Sequence, residues 1–201
     1  DGGTVAGDVI FGAYSDLFLQ TGTSTGVSGT VDGGDGFDIF GWSLKTSGSI
    51  ALAQQAAVNF EANYIEALGS DTRLTLTAAD SVTGNLYLRG DGTIVNEASV
   101  DGSAQTYLPF STTGLAQTNG LAAFVNRGSI LGGVSGEVSA FTNSGTLGSQ
   151  ALLSNAVYQG VSSGALSFDN SGSIIASTGY FAASLDGYGL DGLIATNSGT
   201  I

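Results

Sequence analysis

Few residues of this 201-residue chain are equipped for chemistry, and the fullest set lies in one stretch, GGDGFDIFG at residues 33–41. It follows the calcium-binding nonapeptide pattern G-G-x-G-x-D-x-U-x, in which aspartate and backbone carbonyls offer hard oxygen ligands. Asp35 and Asp38 are the candidate ligands. A calcium roll shares ligands between adjacent nonapeptides, however, and the next segment, WSLKTSGSI, lacks the pattern. LDGYGLDGLI at 185–194, with Asp191 as its candidate ligand, is a partial echo carrying Asp186 where a glycine belongs. Tight acidic turns are the better account of both stretches, so no cofactor is expected, with calcium at Asp35, Asp38 and Asp191 the exception to test. Asp32, Asp35 and Asp38 are also the nearest approach to the convergent carboxylates of a polysaccharide hydrolase or lyase. They sit in a glycine-rich turn, and no other acidic cluster has Arg or Lys beside it in sequence. Arg89-Gly90-Asp91 spells RGD, the tripeptide read by integrins, which makes these three residues a candidate recognition site.

Much chemistry is excluded by composition. The chain has no His, Cys or Met, which removes disulfides, thiolate metal sites, imidazole acid–base work and the Ser-His-Asp triad. Seventeen acidic residues face four basic ones, a formal charge of -13 that repels phosphate backbones and anionic membrane surfaces. Nucleic acid is not an expected partner. No run of about 18 apolar residues could cross a membrane, and the opening DGGTVAGDV has neither a basic nor an apolar leader segment, so any signal peptide is expected to lie outside this sequence. With 42% hydrophobic residues, 33 glycines and one proline, the chain has the make-up of an ordered, disulfide-free bacterial surface or secreted protein.

The elements that would position these residues are set by a repeat. FVNRGSI (124–130), FTNSGTL (141–147), FDNSGSI (168–174) and ATNSGTI (195–201) align on their glycines. LKTSGSI (44–50) and LRGDGTI (88–94) are looser copies, with Gly48 and Gly92 in the glycine's place and Gly90 in the asparagine's corner place. Each copy reads as strand, corner, strand, the asparagine and glycine turning the chain in a left-handed conformation that both tolerate. Only residues 51–68 have any helical pattern, and strands are possible there too. A coil of 17 to 27 residues cannot bury its apolar face alone, whereas stacking coils at about 4.8 Å buries it against its neighbours. The expected fold is therefore all-β, a right-handed parallel β-helix forming one solenoid segment. Its coils would be irregular over 1–45, interrupted by insertions around Pro109 over 46–119, and regular over 120–201. Phe124, Phe141 and Phe168 would form one internal ladder and Ile130, Leu147, Ile174 and Ile201 another, with Asn126, Asn143, Asn170 and Asn197 in line at a corner. If the coils carrying them are neighbours, Asp91 and Arg127 form an exposed pair worth at most about 1 kcal/mol.

The NSGTI-like row over roughly 120–201 resembles the passenger region of bacterial autotransporters, which are secreted right-handed β-helices with N-x-G-[ST]-[IL] rungs. SGTVDGGDGFDIFGWSL (28–44) followed by VNFEANYIEALGSDTRLTLTA (58–78) is similar to that family's glycine-aspartate turn and the step after it. The resemblance implies a non-catalytic, structural or adhesive element. It would be outside the cell or on the bacterial surface, held at the outer membrane by a translocator that this sequence does not contain. Its partners would be a host or neighbouring-cell receptor or glycan, or another copy bound end to end at the strand begun by Ile201; the alternative is a polysaccharide-active β-helix enzyme. Ice binding would need regular T-x-T rows, and TGTST (21–25) and TLT (75–77) do not recur at coil spacing.

Overall fold

The computed structural model describes residues 4–22, 26–51, 56–106, 120–148, 157–161, 165–176, 183–187 and 192–201. These residues form strands, with no helix among them. A three-stranded sheet holds β1 (Val9–Ile10), β3 (Val31–Asp32) and β6 (Ala57–Val58) in that order. A thirteen-stranded sheet begins with β2 (Leu17–Gln20), β4 (Ile39–Leu44), β7 (Ala62–Ala67) and β10 (Asn85–Asn96). It continues through β12 (Ala104–Gln105), β15 (Val134–Asn143), β17 (Val157–Val161) and β20 (Ala183–Gly187). Its side members are β5 (Gly48–Ile50), β8 (Arg73–Leu76), β13 (Leu121–Asn126), β18 (Ala165–Asn170) and β21 (Gly192–Asn197). The third sheet stacks β9 (Ser81–Val82), β11 (Ser99–Val100), β14 (Ser129–Ile130), β16 (Thr146–Gly148) and β19 (Ser173–Ile175).

Every strand pairing among the described residues is parallel, for example β4 with β7, β10 with β13, and β15 with β18. Strands of two to six residues bury little by themselves, so the sheets hold together only because each segment lies on the one a coil earlier. β10 and β15 are long enough to pair twice on each side, and β10, β12, β15 and β13 thereby close a ring of four pairings. The spacing between stacked residues runs from 17 to 30 along the asparagine row. The longest gap exceeds the expected coil and spans residues 107–119, which include Pro109 and lie outside the described residues.

One apolar cluster runs from Val31 to Ile174. Within it Ile94, Phe124, Phe141 and Phe168 are in register. Phe124 and Phe141 stack at 5.5 Å and Phe141 meets Phe168 at 5.7 Å. Val82, Val100, Ile130, Leu147 and Ile174 form a second buried row. A smaller cluster of Ile39, Ala62, Tyr64 and Tyr87 sits on the other side of β4, β7 and β10, as strand alternation requires. The stretch 51–68 contributes β6 and β7, both strands.

Two details of the repeat differ from the sequence reading. Gly48 pairs with Leu74, which pairs with Ile94 in the phenylalanine row, while Gly90 pairs with Leu121. The loose copies are therefore out of register, and the corner place falls to Ile50, Leu76 and Asn96. In β10 the misplacement is six residues, an even number, which leaves the in-and-out alternation intact and hides it from the hydrophobic pattern. The true copy there is IVNEASV (94–100), with Ala98 in the glycine's place. The corner glycines also do a different job from the one expected, since Gly128, Gly145, Gly172 and Gly199 are absent from the positive-φ positions. A Cβ at each would lie 2.0–2.1 Å from a carbonyl oxygen of the preceding rung, so closeness of stacking excludes any side chain.

Gly145→Ala is expected to lower stability by about 1–3 kcal/mol or more, the cost of forcing an extra carbon into a packed site. Gly192→Ala, where a Cβ meets nothing within 4 Å, should be close to neutral. Urea unfolding of both variants measures the contrast; equal midpoints would remove the steric account of the row.

Candidate functional site

The acidic turn that leads into β4 is built around Asp38. Gly34 and Gly36, with φ of 87° and 144°, let the chain double back before Phe37. Asp32 Oδ1 accepts the Gly34 N–H at 3.0 Å and the Asn59 amide at 2.8 Å, tying the turn to the following rung. Asp38 is fully buried. Its Oδ1 accepts the Asp16 N–H at 2.6 Å, and its own N–H donates to Glu61 Oε2 at 2.7 Å. Through its carboxylate on one side and its backbone N–H on the other, this one residue ties together three consecutive rungs. Its Oδ2 is buried without a hydrogen-bond partner. Burial raises the Asp38 pKa; the Asp16 N–H works against that, and the charges of Glu61, Asp16 and Asp32 raise it further.

This geometry suits a structural post better than a cation site. Asp35 is exposed at the turn while Asp38 faces inward, and no group of three or more acidic side chains among the described residues could hold a metal. Asp191 lies outside the described residues. The RGD tripeptide is inside β10, paired to β7 on one side and β13 on the other. Arg89 is half-buried, Gly90 is buried with φ 115°, and only Asp91 is exposed. A Cβ on Gly90 would lie 2.1 Å from the Ala67 carbonyl oxygen, which accounts for the glycine by packing.

Arg127 does not meet Asp91. It pairs with Glu97 at 3.2 Å, because Asn96 stacks under Asn126 and carries the next residue with it. Both side chains are exposed, so the pair is worth little. A second basic residue is set beside a carboxylate by strand register, at a more buried place. Ser43, Glu66 and Arg89 share one register line across β4, β7 and β10. The Ser43 hydroxyl donates to Glu66 Oε2 at 2.5 Å in a buried setting. Tyr64 lies on the same face; burial raises its pKa, and the Glu66 carboxylate raises it further while Arg89 opposes. The Tyr64 hydroxyl lies near that carboxylate without a well-formed hydrogen bond. Only the pairing of strands brings these residues together, so no linear motif marks them.

The asparagines form one continuous chain of amides. Asn96 Nδ2 donates to Asn126 Oδ1 at 2.9 Å, Asn126 to Asn143 at 2.8 Å, Asn143 to Asn170 at 2.7 Å and Asn170 to Asn197 at 2.6 Å. The first four side chains are fully buried, whereas Asn197 is exposed. The backbone follows suit. The Asn126 carbonyl accepts the N–H groups of Ser144 and Gly145, and the Asn143 carbonyl those of Ser171 and Gly172. Ile130, Leu147 and Ile174 beyond the corner are buried, and Ile201 is exposed. Asn96, the first member of the ladder, was missed by sequence reasoning; its signal is the N-x-[AG]-S-[VI] spacing in which alanine is admitted at the glycine place.

Comparison with family models, with curated proteins and with solved structures returned no match to this chain.

The folded state holds the Asp38 proton more tightly than the unfolded chain, so the stability that comes with the protonated form is present at low pH and is lost as pH rises through the raised pKa. Asp38→Asn stays neutral throughout. Its stability minus that of the parent should therefore grow from about pH 4 to pH 7, and millimolar calcium should leave both unfolding midpoints in place. A pH-independent difference, or a calcium-dependent rise abolished by the substitution, would contradict the reading of Asp38 as a buried post.

Proposed function

We propose that the chain is a segment of a right-handed parallel β-helix, similar to an autotransporter passenger, serving as a non-catalytic structural or adhesive element outside the bacterial cell. The observation that carries this reading is the asparagine ladder. It repeats one corner from coil to coil, as a scaffold with a continuous axis requires, and its polar groups are spent on one another and leave no reactive centre. The make-up of the chain also supports an extracellular setting: no cysteine is needed where packing and ladders hold the fold, and a charge of -13 favours solubility at a crowded surface. Such an element binds through exposed faces or by association with further copies.

Two assays on the purified chain separate this from a polysaccharide-active enzyme. Chain immobilised on beads should retain bacterial or host cells, and soluble chain should release no reducing ends from a panel of acidic and neutral polysaccharides. Release that is lost on Glu66→Gln would overturn the non-catalytic reading.

A further inference from the structure

Among the described residues the stack has a break between β6 and β9. β6 is the last strand of its sheet and β9 the last of another, yet they occupy corresponding places on consecutive turns of chain, before β7 and before β10. On the far side each is well paired. Val31 and Gly33 donate to the carbonyls of Ala56 and Val58, and Ser99 and Asp101 donate to those of Asp80 and Val82. In a parallel ladder successive residues turn their backbone polar groups to opposite sides. The N–H and C=O of Ala57 and of Ser81 therefore face each other across the break, with no strand pairing between them.

The break has a local cause. Asn59, just after β6, has φ of 57°, the one positive φ among described non-glycine residues. Its amide is bonded to Asp32 on the preceding rung, and the Val58 carbonyl to Gly33, so the chain is drawn back towards β3 and away from β9. What opens is a cleft of about 200 Å³ lined by Phe40, Asn59, Phe60, Asn63, Ser81 and Thr83, with Ala57 and Val82 completing the walls. Phe40 and Phe60 meet edge to face at 5.2 Å at its apolar end. The Asn63 amide reaches the Thr83 carbonyl at 3.4 Å across it.

The lining carries aromatic carbon, side-chain amides, hydroxyls and two strand edges offering donors and acceptors alternately, and it carries no charged side chain. A neutral ligand with a ring of hydroxyls satisfies that set: its oxygens pair with the edges and amides, and its C–H face rests on the electron-rich aromatic surface. The volume is below the roughly 300–1,000 Å³ of drug-sized sites, which limits the occupant to about one ring. We infer that this cleft binds a single neutral pyranose unit, free or at the end of a glycan. The inference stands on the cleft alone and does not depend on the reading of the whole chain as an adhesive rod.

The test is a titration of the isotopically labelled chain with methyl glucoside, methyl galactoside, methyl mannoside and N-acetylglucosamine at millimolar concentration, followed by amide NMR. At least one sugar should shift Ala57, Asn59, Phe60, Asn63 and Ser81 to Thr83 while leaving the distant ladder residues Asn126 to Asn170 unmoved. Ala57→Leu, which fills the cleft from an existing strand, should weaken binding at least tenfold. Thr83→Val, at an exposed position, gives a second check that does not burden the fold and should weaken it measurably. No shift with any of the four sugars, or shifts that persist unchanged in both variants, would overturn the inference.

Discussion

A buried side-chain amide is a constraint before it is a bond. Left unpaired inside the protein, each such group costs about 1–3 kcal/mol, whereas a satisfied one returns only about 1 kcal/mol net. The energy in the row from Asn96 to Asn170 thus lies chiefly in what misalignment would forfeit. Any register other than the observed one leaves amides facing apolar neighbours, and chains of aligned amides strengthen one another. The phenylalanine row adds attraction but tolerates sliding, as the change from parallel stacking at Phe124–Phe141 to a 52° tilt at Phe141–Phe168 indicates. Hydrophobic burial drives the stack together; the amides decide which residue lies on which.

The glycine row follows from the same constraint. For the Asn143 carbonyl to accept two N–H groups from the next rung, the corner backbones must approach so closely that no Cβ fits between them. The N-x-G pairing is thus one device with two parts. It also explains what could be read in advance. Where both parts are present, at Asn126, Asn143, Asn170 and Asn197, the residues that align in the sequence are the residues that stack. Where Ile50 or Leu76 takes the asparagine's place, or Ala98 the glycine's, the motif dissolves, and glycines belonging to other positions, Gly48 and Gly92, stand in for it.

Residues brought together only by register were not legible. Ser43, Glu66 and Arg89 are spaced evenly at 23 residues, but the asparagine row steps by 17 to 30, so no interval shared along the chain announces their meeting. The acidic nonapeptide was visible as a turn, but whether Asp38 pointed outward to an ion or inward to the Asp16 N–H depended on the neighbouring rungs. Inward placement gives it a role in the rungs that precede the asparagine ladder: it joins three of them through its own carboxylate and N–H, as the ladder does later through amides.

The amides of Asn96, Asn126, Asn143 and Asn170 form a continuous buried ladder, and that ladder fixes the register of the stack. Side-chain amide hydrogen exchange, followed by NMR, reads this at the atoms concerned. The account predicts that the four buried side-chain amides exchange far more slowly than those of the exposed Asn59 and Asn197, with protection comparable to the backbone N–H groups of Gly145 and Gly172. Exchange of the Asn126 and Asn143 side-chain amides as fast as that of Asn59 would contradict it.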